Sequence, residues 1–143
     1  MTKKRTSEKF KLPENDSVSI EMVSGKVWSA YNWYKGNGYS HIQVNTDRPF
    51  YAVDILETIS HETYPGHHTH LSQQDLIFYK QNNWVEFSIQ PLFAPLSLIA
   101  EGIAENAWGL IFTGKEAEEY IKEIILPLAG VDTTGYSAFY RFK

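Results

Sequence analysis

Between residues 17 and 45, apolar and polar side chains alternate in three short runs. In Ser17 to Val23, the residues Val18, Ile20 and Met22 fall on one side of the chain, the two-residue period of a half-buried strand. Ser24-Gly25 is a turn signal. Lys26 to Tyr34 is β-branched and aromatic, with Val27, Ser29, Tyr31 and Trp33 set against Trp28, Ala30, Asn32 and Tyr34. Lys35-Gly36-Asn37-Gly38 marks a second turn. Tyr39 to Asn45 is the third run, with Ile42 and Val44 on one face and His41, Gln43 and Asn45 on the other. Three runs joined by turns predict a three-stranded antiparallel meander.

After residue 46 the period becomes helical. Asp47 is placed to cap a helix and Pro49 to sit in its first turn. Ala52, Ile55, Leu56 and Ile59 follow on one face, with Asp54 and Glu57 on the other, and the helix runs into His61. Leu71 to Tyr79 reads as helix, Gln81-Asn82-Asn83 as a loop, and Pro91 and Pro95 bracket a bend. The stretch from Leu96 to Phe112 is apolar nearly all round, the mark of a buried helix; Glu101 and Glu105 are its only charges, four apart on one face. Gly114 ends it. Lys115 to Leu128 predicts an amphipathic helix with Ala117, Tyr120, Ile121, Ile124, Ile125 and Leu128 inward, closed or kinked by Pro127. The end of the chain carries Tyr136, Phe139, Tyr140 and Phe142, an apolar segment that wants cover from its own domain, from a second copy of the chain, or from a complementary segment missing here. The fold class expected is α+β: a small antiparallel three-stranded sheet followed by a mainly helical body.

Composition narrows this. A chain of 143 residues, 43% hydrophobic and 15% aromatic, suits one globular domain with a real core, set at residues 13–143. Residues 1–12 read as a basic flexible tail: the first eleven hold five Lys or Arg against one Glu, a balance of +4 in a chain of net charge −4, which leaves −8 for the rest. That acidic body argues against a nucleic-acid partner. No apolar run reaches membrane-spanning length, and the basic start has no apolar stretch behind it, so neither a membrane span nor a secretory signal is expected and a cytoplasmic location is. With no cysteine, disulfides and thiolate ligands are excluded; any metal must sit on imidazole and carboxylate.

The candidate chemistry lies in His61-Glu62-Thr63-Tyr64-Pro65-Gly66-His67-His68-Thr69-His70, which holds four of the five histidines. A His-Glu pair with a second His shortly after is the core of zinc-hydrolase helices, in which imidazoles hold the metal and the Glu is general base. The familiar spacing between the histidines is four; here His61 and His67 are six apart, which a straight helix would point about 240° away from each other. Pro65 resolves this, because its ring clashes with the carbonyl of His61 and forces a bulge or break, and Gly66 supplies backbone freedom. A two-residue bulge would return His67 to the place of a fourth-position His. His68 is the competitor, on the same face of a straight helix but about 10 Å further along it.

HETYPGHH resembles the HExxPGHH signature of a bacterial family of domains of unknown function, regarded as zincin-like metallopeptidases. The resemblance runs from about Gln43 to about Phe112 and covers the catalytic core only; members of the family are several times longer, so this chain resembles an excised or truncated core. It implies a zincin-like core fold. Glu101-Gly102-Ile103-Ala104-Glu105 is similar to the family's downstream Glu-Gly-Trp-Ala helix, with Ile103 in place of Trp, which implies that Glu101 is the third zinc ligand. A carboxylate on a buried helix needs such a partner. His70 stands where many members have Gln.

The expected activity is therefore zinc-dependent hydrolysis of peptide amide bonds. His61, His67 and Glu101 would hold Zn²⁺, Glu62 would act as general base, and Glu105 would accept from a ligand imidazole N–H. Tyr64, His68, Tyr136 and Tyr140 are the candidate oxyanion donors. The His41 to Asn45 strand is expected as the edge strand that binds an extended peptide, with His41 touching substrate. The alternatives are a metal-binding but inactive fragment or assembly module, and a metal-free globular module with a histidine-rich loop.

Overall fold

A computed structural model describes residues 1–141. The chain is α+β. Helix α1 (Thr2–Ser7) leads to strand β1 (Ser17–Val23), β2 (Ala30–Tyr34) and β3 (Tyr39–Asn45). Helices α2 (Ile55–Glu62) and α3 (His67–Gln73) follow, the latter continuing as a widened π helix over Gln74–Gln81. Then come α4 (Pro95–Glu105), α5 (Ala107–Ile111), α6 (Gly114–Tyr120), a second π turn (Ile121–Ile125), α7 (Leu126–Leu128) and α8 (Tyr136–Tyr140). Phe142 lies outside the described residues. No described helix is long and apolar enough to cross a membrane.

The sheet is mixed rather than an antiparallel meander. Its order is β1-β3-β2, with β1 parallel and β2 antiparallel to β3. The β2–β3 hairpin forms where expected, through Gly36, Asn37 and Gly38, all at positive φ. The β1–β2 link does not become a hairpin, because its polar groups are claimed elsewhere. The Asn45 side chain donates to the carbonyls of Lys26 and Trp28, and Asn45 N–H donates to Ser29 O. Residues 26–29 are thus tied to the end of the central strand and β2 is delivered to its far side. It follows that β3 is not an edge strand: β1 and β2 are the edges.

Ser40 and Ile42, both fully buried, point from β3 toward α3, while His41 and Gln43 point to the opposite face. The main apolar core lies on the other side of α2, where Leu56 meets Ile111, Phe112, Ala117, Ile121, Ile125, Leu126 and Tyr136. Burying each large member contributes roughly 1.5–3 kcal/mol. The core fixes α2, and α2 carries His61 and Glu62.

Several helical expectations shift. The helix expected to begin at Pro49 begins at Ile55, after a 3₁₀ turn at Ala52–Asp54, because Asp47 accepts from Gly25 N–H instead of capping. Pro95 does open α4, but the helix breaks at Asn106, whose side chain donates to Gly102 O. Nor is α4 buried: Leu98 and Ile99 are 78% and 56% exposed, and only Ala104 of its residues is buried. Gly114 starts α6 behind a Thr113–Glu116 capping box. The widened turn that follows rotates Ile124 and Leu128 outward, against expectation, and keeps Ile121 and Ile125 inward.

The expected flexible tail is drawn into the fold as α1. Thr6 is fully buried, Arg5 donates to Ile111 O and pairs with Glu116, and Lys9 donates to Leu110 O. At the other end α8 docks on its own core through Tyr136, with Tyr140 packed beside it and Phe139 left exposed.

Candidate metal centre

Helix α2 ends at Glu62 and α3 begins at His67, with a cis Tyr64–Pro65 peptide between them. Across this break the helical hydrogen bonds lengthen their reach: Gly66 N–H donates to Ser60 O at 2.9 Å and Thr69 N–H to Thr63 O at 3.3 Å, each spanning six residues instead of four. Two extra residues are thus looped into the turn. Only glycine fits at its apex, since a Cβ on Gly66 would stand 1.9 Å from His61 O and 2.4 Å from Ser60 O.

The bulge brings the two histidines together. Their rings meet edge to face with centroids 4.7 Å apart. Helix α4 adds Glu101, with Oε2 3.4 Å from His61 Nε2 and Oε1 3.4 Å from His67 Nε2. One ligand atom from each of the three side chains lies within 4.8 Å of the others. Ligands held about 2.0–2.2 Å from a tetrahedral zinc stand roughly 3.3–3.6 Å apart, so each imidazole already lies at such a distance from one oxygen of the Glu101 carboxylate, and small side-chain movements would bring all three onto one ion. Burial, aided by His61 and His70 and opposed by Glu101, holds the His67 imidazole down at about 4, so that it is neutral and keeps a lone pair for a metal. Glu101 is 57% exposed in its side chain, contrary to the burial expected of it, because the helix that carries it lies open.

Glu62 points into the same groove from the last turn of α2. Its side chain is buried and its Oε2 finds no hydrogen-bond partner among the described residues. Burial, reinforced by the charge of Glu101, raises its pKa to about 7. A carboxylate so placed takes and returns a proton near neutral pH, as a general base requires. Its backbone carbonyl accepts from Asn32 Nδ2 at 2.7 Å, which ties the end of α2 to β2. Glu105 lies behind the cluster, Oε1 3.6 Å from His61 Nδ1, near the second nitrogen but beyond hydrogen-bond length.

Other sequence candidates lie elsewhere. His68, adjacent to His67, points the opposite way and is fully buried against Ser40 and Asp16. The Tyr64 hydroxyl donates to Asp16 at 2.6 Å, so that neither Tyr64 nor His68 faces the groove. His41 lies on the far face of the sheet, bonded to Ser19 and Glu21. Tyr136 and Tyr140 belong to the main core beyond α2. The structure brings none of the four expected oxyanion donors, nor His41, to the groove.

The groove, of about 860 Å³, is lined instead by the strand β2, whose Asn32 faces the helices, by Tyr79, and by Phe87. Of the strand expected over Lys26 to Tyr34 only Ala30–Tyr34 forms, and its place beside the histidines depends on the crossing of the β1–β2 link. No protein-family model matches the chain, and neither does any curated protein or solved structure.

Proposed function

We propose that this chain is a zinc-dependent hydrolase that cleaves peptide amide bonds. The observation that carries the reading is the convergence of His61, His67 and Glu101 beside the buried, unpaired carboxylate of Glu62 in one groove. The HExxPGHH resemblance adds support, since the positions it assigns to ligands and base are the ones that meet. Two imidazoles and one carboxylate are the donor set of a catalytic zinc with a position left open. An ion held there supplies Lewis acidity toward the scissile carbonyl and toward water.

The protein's own residues do the rest. Glu62 takes a proton from the attacking water and returns it to the leaving amine. Glu105, 3.6 Å from His61 Nδ1, would need to move closer to accept that N–H and orient the ring. The groove-side edge of β2 offers backbone groups to an extended peptide, the role expected earlier of β3.

The test is elemental analysis of untagged protein, followed by a peptidase screen. About one zinc per wild-type chain, much less in Glu101→Ala, and turnover abolished in Glu62→Gln are expected. A chain that takes up no zinc even after loading sinks the proposal.

A further inference from the structure

We infer that Asp16 is a positioning residue for the metal site, clamping both sides of the Pro65–Gly66 turn so that His67 stays opposite His61. The inference rests on the metal-site reading above and assigns a role to residues that lie outside the groove.

Asp16 comes from the loop before β1, and its side chain is only 4% exposed. One carboxylate oxygen, Oδ1, meets His68 Nε2 at 2.8 Å. The other, Oδ2, accepts from the Tyr64 hydroxyl at 2.6 Å and pairs with Lys3 Nζ at 2.7 Å. Tyr64 is the last residue before the Pro-Gly pair, and His68 follows His67 directly. A single carboxylate thus bridges the two ends of the bulge. The remaining His68 nitrogen, Nδ1, meets Ser40 Oγ of the central strand at 2.7 Å, so the clamp is also fixed to the sheet. Tyr64 and His68 pack edge to face, 4.9 Å between centroids, and Lys3 lies over the Tyr64 ring.

The geometry explains why two adjacent histidines point opposite ways. His68 is held from behind at both nitrogens, which turns His67 into the groove. A bulge of two extra residues has other ways to settle, and each would move His67 relative to His61. Because Asp16 touches no ligand, it acts through the backbone of the turn.

The experiment compares wild type, Asp16→Asn, Tyr64→Phe and the core variant Ile125→Ala. Zinc affinity is measured by chelator competition and corrected for the folded fraction; the visible spectrum is taken at saturating Co²⁺. Asp16→Asn is expected to bind zinc about 10–100-fold more weakly, the range for supporting residues of metal sites, with an altered Co²⁺ spectrum. Ile125→Ala is expected to lose stability and keep both properties. Tyr64→Phe removes one donor and keeps the ring; it should show a smaller loss in the same direction, and it decides the matter if Asp16→Asn does not fold. Wild-type affinity and spectrum in the deciding variant overturn the inference while leaving the metal site standing. A wild-type chain that binds no ion overturns both.

Discussion

His61 and His67 stand six residues apart in the chain, yet their rings touch edge to face with centroids 4.7 Å apart. The relationship depends on a turn whose apex passes so close to the carbonyls of Ser60 and His61 that it has no room for a Cβ. Gly66→Ala is therefore expected to force the backbone apart. The loss should be at least about 3 kcal/mol, at the severe end for a single substitution, with metal binding lost alongside. Urea denaturation and metal content check this. An alanine variant as stable as wild type would show that the turn is not as tight as described.

Glu101 behaves differently, because it is exposed. It closes the cluster without supporting the core. Glu101→Ala is expected to change the stability of metal-free protein by no more than about 0.5 kcal/mol, the usual range for surface positions, while zinc content falls sharply. A variant that unfolds would move Glu101 from the list of ligands to that of structural residues. Removing its charge also relieves Glu62, whose pKa should fall part of the way back toward the ordinary carboxylate range.

The parts of the site that were legible in the sequence share one property: their chemistry is local. Pro65 and Gly66 must interrupt a helix wherever it lies, and that interruption lets His67 come into phase with His61. What stayed hidden depends on partners distant in the chain. Period-two alternation finds strands but does not say which neighbour each takes; here that is decided by Asn45 holding the carbonyls of Lys26 and Trp28. An apolar helix does not announce which of its sides goes uncovered, so Leu98 and Ile99 were expected inside and Glu101 with them. Asp16 carries no signal at all, being an isolated acid in a loop 48 residues from Tyr64 and 52 from His68.

The amino-terminal helix gives a sharper test of order than its basic composition suggests. Arg5 hydrogen-bonds Ile111 O at 2.8 Å, pairs with Glu116 at 3.0 Å and stacks 4.2 Å above the Phe112 ring. A hydrogen bond to a charged donor is worth about 1.5–3 kcal/mol, and the ring contact adds somewhat to it. Arg5→Ala should cost about 2 kcal/mol in urea denaturation at constant pH. No measurable loss would restore a loosely attached tail.

Acid should unfold the metal-free protein: Asp16, His67 and His68 favour unfolding, while Glu62, raised to about 7 and so protonated first in the folded chain, offsets part of the effect above about 4.5. Burial alone would raise the pKa of Asp16, but the bonds from Lys3, Tyr64 and His68 outweigh it and hold the carboxyl below its ordinary value. The folded chain then keeps Asp16 ionised where the unfolded chain protonates it, so its contribution is present above about 3.8 and lost as pH falls below that. Burial lowers His68, and His67 likewise, from 6.5. The unfolded chain takes up those protons first, so stability begins to decline below about 6.5. The denaturation midpoint of chelator-treated protein should fall from about pH 6.5 downward and keep falling below about pH 4, where Asp16 takes over as His67 levels off. Asp16→Asn should flatten that lower limb. A wild-type midpoint that stops falling below about pH 4, or one that falls equally in Asp16→Asn, would contradict the role given to Asp16.

The pairing proposed for strand β2 is tested in the substrate rather than in the protein. If an extended peptide pairs with the groove-side edge of β2, its backbone N–H groups donate to that strand, whereas side-chain pockets alone would leave them free. Methylating one such nitrogen two or three residues from the cleaved bond removes a donor and leaves the side chains unchanged. For a peptide that the wild-type chain cleaves, the expected result is a KM raised about 10-fold, the equivalent of one hydrogen bond of about 1.4 kcal/mol, at nearly unchanged kcat. The effect should alternate along the peptide, because successive N–H groups point to opposite sides of a strand. A uniform effect, or none at any position, would mean that the groove reads side chains, with Tyr79 and Phe87 among the surfaces that do so.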